Sequence, residues 1–165
     1  MNKQRFALVG LALLVFVLPI AGQPKYGVTA LADKGTDFTT VKSYVWQSGW
    51  DANDKKVHTQ IVSAVDRELK ALGLTLKAAG PSDAVVKYAA LRRVDVEVSM
   101  LANPDAARRQ YDVGSLLIVM TKPGTGAELW RARIDKPIEV DPAGVAAAVD
   151  SAVIEIFAKY PTKKK

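Results

Sequence analysis

The chain has 165 residues, of which 24% are charged and 49% hydrophobic, values that fit one globular domain with a short appendage. They exclude a collagen, a disordered tail and a multi-domain enzyme. The net charge of +6 lies mostly at the two ends. Removing Lys3 and Arg5 from the 23 basic residues leaves 21 against 17 acidic ones, and Lys163, Lys164 and Lys165 supply three of the four remaining charges. The body is nearly neutral, so we expect no nucleic-acid partner.

Residues 1–22 are predicted to be a secretory signal peptide. They contain two positive charges, an apolar run over residues 6–18, and Pro19 followed by small residues. The run is shorter than the roughly 20 residues that a membrane-spanning helix needs. We therefore predict cleavage between Gly22 and Gln23, with retention of the segment as an anchor as the alternative.

The residues before the predicted cleavage point resemble a bacterial lipoprotein cleavage box, whose fourth position is the cysteine that receives the lipid. Gln23 occupies that position, and the chain contains no cysteine. The sequence thus predicts an exported protein, periplasmic or envelope-associated, without a lipidation cysteine or disulfides. The basic tail at residues 163–165 is interpreted as a solvated end, with weak attraction to an anionic lipid or polysaccharide surface as the alternative.

Strands and one helix are predicted in the first half of the domain. Residues 26–32 and 43–47 are typical of strands. From residue 55 to residue 72, apolar residues recur at helical spacing, which predicts an amphipathic helix with Asp54 as its N-cap and Gly73 just after its end.

Three further strands are predicted in the second half. Residues 83–100 alternate between apolar and polar, which indicates a long strand with a bend or bulge near Arg92 and Arg93. In residues 111–121, apolar side chains occupy both odd and even positions, as in a central strand whose two faces are both covered. A hairpin turn leads from it to a strand over residues 128–134.

The last predicted element is a helix that begins with Asp141 as N-cap and Pro142 in its first turn and ends before Pro161. The order of elements predicts an α+β fold. We expect a two-layer sandwich: a mostly antiparallel sheet of about four to five strands, with two helices packed on one face. A single domain is expected over residues 23–162.

No catalytic, metal or cofactor motif is recognisable. His58 is the only histidine, so neither a histidine-rich zinc site nor a cysteine–histidine pair is possible. Gly124 and Gly126 lie in a hairpin turn and lack the following helix of a phosphate loop. We therefore predict no cofactor.

Two sets of carboxylates have the spacing of a possible catalytic pair: Asp33 with Asp37 at a turn, and Asp95 with Glu97 on one strand face. Solvated turn and strand positions explain both sets better. A small carboxylate-dependent hydrolase remains the alternative function from another class, as does a carrier of a small apolar or anionic ligand.

Candidate binding residues come from two groups. The arginines on two predicted strands form an anion-binding patch if those strands pair on the same face, and otherwise a solvated sheet face. The tryptophans either line a ligand groove or pack between sheet and helices. These candidates are Arg92, Arg93, Arg131, Arg133, Trp46 and Trp130.

An ordered set of short motifs resembles the bacterial envelope family catalogued as domain of unknown function 4136. Residues 35–46 resemble its Asp-Phe-x(5)-Tyr-x-Trp opening, and residues 61–73 its first helix and following glycine. Residues 81–86 resemble its Pro-Asp strand, with Ser82 inserted in the pair. The later motifs are a Gly-Thr-Leu strand, a Leu-x-Trp-Arg strand and a Phe-Pro end, at residues 114–118, 129–131 and 157–161.

The resemblance covers residues 28–161 and implies a two-layer α/β domain with no assigned activity. Many members look like lipoproteins, whereas this sequence has Gln23 at the lipidation position. The family has no established catalytic residues to transfer to these positions. We therefore predict a non-enzymatic binding or structural module whose partner is an envelope protein or surface, of unknown oligomeric state.

Overall fold

The computed structural model describes residues 26–78, 80–97, 109–138, 141 and 143–161. The predicted signal peptide, its cleavage between Gly22 and Gln23, and the basic tail lie outside these residues. Within them, no helix is both long and apolar enough to cross a membrane.

Six strands and two helices make up the described part of the chain. In chain order they are β1 (Gly27–Ala32), β2 (Ser43–Trp46), α1 (Lys55–Ala71), β3 (Thr75–Leu76), β4 (Ala84–Glu97), β5 (Arg109–Thr121), β6 (Glu128–Pro137) and α2 (Val145–Phe157).

The six strands form one mixed sheet in the order β1-β6-β5-β4-β2-β3. The pairs β1–β6, β6–β5 and β5–β4 are antiparallel, whereas β2 runs parallel to both β4 and β3. The α+β prediction is confirmed, but the expected four to five mostly antiparallel strands are wrong. The difference arises because α1 is the crossover between β2 and β3, and such a crossover returns the chain in the parallel direction.

Helix α1 has the predicted ends. The carboxylate of Asp54 accepts hydrogen bonds from the backbone N–H groups of Lys56 and Val57, as an N-cap should. Gly73 follows the helix with a φ of 86°, a conformation that glycine adopts without strain.

Helix α2 begins later than predicted. Gly144 precedes its first residue, and the Asp141 carboxylate accepts a hydrogen bond from the N–H of Ala143. The carbonyl of Asp141 accepts from the N–H of Gly144. Asp141 therefore closes a turn before the helix, and its assignment as N-cap is wrong; Pro142 lies outside the described residues.

Strand β4 pairs with β5 without interruption from Val85 to Glu97. The predicted bulge near Arg92 and Arg93 is therefore wrong, because β4 pairs residue by residue with a 13-residue antiparallel partner. The register shift lies instead between Met120 and Thr121, where β5 pairs with β6.

The core lies between the helices and one face of the sheet. The two helices contact each other, and their buried side chains meet residues of even number on β4, β5 and β6. Residues in this core include Ile61, Val65, Leu69, Val86, Ile118, Met120, Trp130, Ile134, Val153 and Ile156. Strand β5 is central, as predicted, but among the described residues only one of its faces is covered by helices.

Candidate functional surface

The other face of the sheet, here called the open face, carries the residues of odd number on β4 and β5 and, from Arg131 onward, on β6. No described helix packs on it. The strand register aligns its side chains in rows that cross the sheet, and neighbours in a row are about 4.8 Å apart. The first row is Leu31, Arg131, Val119 and Lys87. The second row is Thr29, Arg133, Leu117, Ala89 and Trp50.

Trp50 reaches this face through a segment that continues β2 alongside β4. Its N–H donates to the carbonyl of Tyr88 and its carbonyl accepts from the N–H of Ala90, at 3.1 and 2.9 Å. Paired residues project to the same side of a sheet, so Trp50 lies on the open face beside Ala89. Gly49 permits this approach, because a Cβ there would lie 2.2 Å from the Tyr88 carbonyl oxygen.

Large apolar side chains are exposed on this face. Trp50 is 71% exposed, Leu31 57% and Leu91 52%. Leu91 belongs to a third row, opposite Ser115. Leu31 and Leu117 also line a shallow depression of about 610 Å³ together with Arg131 and Arg133. Exposed apolar residues grouped in this way, with cations between them, are typical of a binding surface.

The structure brings together three of the four candidate arginines. Arg93, Arg131 and Arg133 lie on the open face, whereas Arg92 points to the opposite side, where it pairs with Asp112 at 2.5 Å. The separation follows from parity, because Arg92 and Arg93 are adjacent on one strand.

Arg93, together with Arg133 of the second row, belongs to a polar network in which positive and negative charges balance. Both contact the Asp135 carboxylate, at 3.3 and 3.0 Å, and the hydroxyl of Ser115. Burial raises the pKa of Asp135, but hydrogen bonds from Ser115 and Arg133 outweigh it and hold that pKa below its usual value. Asp95 extends the network, pairing with Arg93 at 3.1 Å.

Tyr26 and Tyr111 close the far end of this network. The Tyr26 hydroxyl donates to Asp95 at 3.3 Å and is hydrogen-bonded to the Tyr111 hydroxyl. Because carboxylates and guanidinium groups are matched here, this end of the open face carries little excess charge. Among the described residues of this face, Lys87 and Arg131 of the first row carry the excess of positive charge.

The candidate tryptophans lie on the helix side of the sheet. Trp130 is fully buried, with its ring 5.4 Å from Phe157 and 5.2 Å from Tyr160. Trp46 is partly buried, and its Nε1 donates to Asp66 at 2.8 Å. The Tyr44 hydroxyl donates to the same carboxylate oxygen at 2.5 Å. The Tyr-x-Trp motif is thus tied to helix α1 by one carboxylate.

Among the residues that the structure describes, the His58 ring is hydrogen-bonded to a tyrosine and to no carboxylate. Its Nδ1 lies 2.6 Å from the hydroxyl of Tyr88, which also accepts from the N–H of Ala52 at 3.0 Å. Burial raises the pKa of Tyr88. This arrangement fixes the loop before α1 against β4, which is a structural role.

The carboxylates once considered for catalysis are engaged locally. Asp33 accepts from the Thr36 hydroxyl at 2.6 Å and from the N–H of Gly35, and these bonds lower its pKa. Asp37 accepts from the N–H of Thr39 at 3.0 Å. Both stabilise their own turn. Asp95 belongs to the arginine network, and the side chain of Glu97 lies outside the described part. No group of three or more potential metal ligands occurs among the described residues.

Asp83 clamps the start of β2. Its Oδ2 accepts from the N–H of Lys42, the N–H of Ser43 and the hydroxyl of Ser43, at 3.0, 2.9 and 2.8 Å. The Ser43 hydroxyl first, and then the Lys42 N–H, hold the pKa of Asp83 below its ordinary value. This explains why a carboxylate leads into β4.

We expect Asp83→Asn to lower the free energy of unfolding by about 1 kcal/mol at pH 7. The pKa is lower in the folded chain, so the carboxylate stabilises the fold above its unfolded value near 4, and this stabilisation is lost as the pH falls through the folded value. Urea unfolding at several pH values should show the difference at pH 7 and its progressive loss as the pH is lowered into the acid range. A difference that persists in acid would contradict the assignment.

The exposed leucines are not among the candidates predicted from the sequence, whereas Trp50 is one of the tryptophans predicted either to line a ligand groove or to pack between sheet and helices. The sequence does mark Leu31 and Leu91 as unusual, because each is a leucine at an alternating position shared with polar side chains. Only the pairing of the strands places them on one surface with Arg131. Trp50 lies in a segment without strand periodicity.

Comparison with known proteins shows a family and a fold. A family model described as a domain of unknown function, DUF4136, matches residues 28–162, and the chain therefore belongs to this family. This confirms the resemblance found in the motifs. No curated protein matches the chain significantly.

Two solved structures illustrate the shared fold. A PDZ domain protein from Parabacteroides distasonis is 19% identical with a TM-score of 0.60; the match covers 85% of this chain and 36% of that one. The chain thus spans about a third of that protein. The PelC dodecamer from Paraburkholderia phytofirmans is 12% identical with a TM-score of 0.55, and 81% of this chain and 95% of that chain are covered.

Proposed function

We propose that this DUF4136 protein is exported to the bacterial cell envelope and acts there by binding, without catalysis, through the open face of its sheet. One contrast carries the proposal. Apart from Arg131, the polar motif side chains described above hold the fold together, whereas an extended face with exposed apolar and cationic side chains, Arg131 among them, has no described partner.

Four motif residues are engaged in this way. Tyr44 and Trp46 bind Asp66, and Asp83 clamps β2. Phe38 packs edge-on against Tyr160, with ring centres 5.5 Å apart. Motifs used in this way preserve a scaffold. They leave the open face as the surface available for function.

Export rests on the signal-like N-terminal segment. Its charged start, apolar run and small residues are those of a secretory signal, and the family resemblance points to the envelope. Fractionation of the native host tests this part. We expect the protein in the periplasmic or membrane fraction, and recovery from the cytoplasm alone would contradict export.

Single cysteines test the use of the open face, because the chain has none of its own. Thr29→Cys places a thiol on the open face, and Ser63→Cys places one on the exposed side of α1 as the matched control. We expect a maleimide to label Cys at position 29 about fivefold more slowly in the intact envelope than in purified protein, since a bound partner excludes the reagent. Position 63 should label equally in both. Equal rates at both positions would contradict the proposal.

A further inference from the structure

The two rows of the open face combine three features: cations, apolar side chains between them, and an exposed tryptophan at one margin. Arg131 and Lys87 stand in the first row on either side of Val119, and Arg133 stands in the second row next to Leu117. Neither row contains an aspartate or glutamate. This part of the surface therefore presents positively charged side chains that alternate with apolar ones.

Two of these cations are largely uncompensated. Lys87 has no ion-pair partner among the described residues, and Arg131 is 3.5 Å from Glu128, which is itself exposed. Arg133 shares Asp135 with Arg93. An exposed pair such as that of Arg131 is weak. The positive charge of Lys87 and Arg131 thus remains available to a partner.

This combination of exposed cations and apolar side chains favours some binding partners over others. A second copy packed face to face would bring two sets of like charges together without a carboxylate between them, which is unfavourable. An anionic bilayer fits better: its phosphates match the arginines, the interfacial region accepts leucines, and tryptophan favours the boundary between apolar and wet layers. We infer that the two rows dock on an anionic lipid surface.

This inference rests on the proposed role of the open face, and it names the partner of that face. The depression between Thr29, Leu31 and Leu117 lies beside Arg131 and Arg133, so a lipid phosphate bound by the two arginines would sit above apolar side chains. The positions of Arg131 and Arg133 two residues apart on one strand place both guanidinium groups on the same side.

Vesicle co-sedimentation with the full chain tests the inference. The probe is vesicles of equal parts phosphatidylglycerol and phosphatidylcholine, compared with phosphatidylcholine alone. The variant Lys87→Glu/Arg131→Glu reverses two charges of the first row without touching the polar network. The control Lys56→Glu/Lys70→Glu makes the same change in net charge on exposed positions of α1. Any binding by residues 1–25 is common to both variants and cancels in their comparison.

We expect the open-face variant to bind the anionic vesicles at least about tenfold more weakly than the control variant, because each cation near an anionic surface contributes to binding. Raising the salt should reduce this difference. Trp50 should report the contact directly: its fluorescence is expected to shift to the blue on anionic vesicles, and the shift should disappear in Trp50→Phe.

Three outcomes would overturn the inference. The two variants binding anionic vesicles equally would show that the rows do not contact lipid. A concentration-dependent dimer that is lost only in the open-face variant would assign the surface to a second copy. Protection of position 29 in the envelope without vesicle binding would assign it to another envelope component, and in that case the proposed function would stand while the lipid surface would not.

Discussion

Trp130→Ala is expected to lower the free energy of unfolding by about 4 kcal/mol, since it removes a fully buried indole from the core. The ring packs against Phe157 and Tyr160, and its Nε1 has no hydrogen-bond partner among the described residues. The Tyr160 hydroxyl is likewise without a partner there, and burial raises its pKa to about 12. The contribution of Trp130 is therefore almost wholly apolar. A loss of this size is a large part of the 5–15 kcal/mol that stabilises most domains.

Urea unfolding followed by circular dichroism measures this change. Trp50→Ala is the matched control, because it deletes an indole that is 71% exposed and should change stability by less than about 0.5 kcal/mol. If Trp130→Ala leaves too little folded protein, Trp130→Phe keeps an aromatic ring and should cost about 2 kcal/mol. A Trp130→Phe variant as stable as the wild type would contradict the packing described here.

Much of the fold was predictable because local periodicity survives in the structure. Asp54 and Gly73 bound α1 as predicted, since capping is decided by neighbouring backbone groups. The residues of even number face the helices from Ala84 to Ala90 on β4 and from Trp130 to Ile134 on β6. Parity is a local property, so it required no knowledge of the partner strands.

The features that failed depend on distant contacts. Strand β3 has two residues, too few for a periodic sequence pattern. It forms because the Thr75 N–H donates to the carbonyl of Lys42 and the Lys77 N–H donates to the carbonyl of Tyr44, both at 2.8 Å. The mixed pairing of the sheet likewise depends on where α1 crosses. Asp141 is of a residue type that favours the N-cap position. Its carboxylate, however, accepts a hydrogen bond from the N–H of Ala143, in a turn that precedes the helix.

The candidate surface was predictable in part. Parity alone separates Arg92 from Arg93, and it places Arg131 and Arg133 on one side of β6. Only the register of β6 with β1 and β5 shows that Leu31 and Leu117 lie beside them. A surface assembled from four strands is therefore invisible in any single stretch of sequence.

Asp66→Ala is the second change with a large expected effect, because one carboxylate serves two aromatic donors. The Tyr44 hydroxyl is 2.5 Å and the Trp46 Nε1 2.8 Å from its Oδ1. Tyr44 is 1% exposed, and burial together with Asp66 raises its pKa. Removing the carboxylate leaves a buried hydroxyl without its acceptor. We expect a loss of about 3 kcal/mol in the free energy of unfolding.

A double-mutant cycle separates the hydrogen bond from the packing. In the Tyr44→Phe background the donor is gone, so Asp66→Ala should cost clearly less than it does alone. Asp150→Ala is the control on α2: it removes an exposed carboxylate paired with Arg67 at 3.3 Å and should cost less than about 1 kcal/mol. Equal costs for the two aspartates would mean that Asp66 acts as an ordinary surface charge. A larger cost for Asp66 that shrinks with Tyr44→Phe would show that the Tyr-x-Trp motif joins β2 to α1 through this carboxylate.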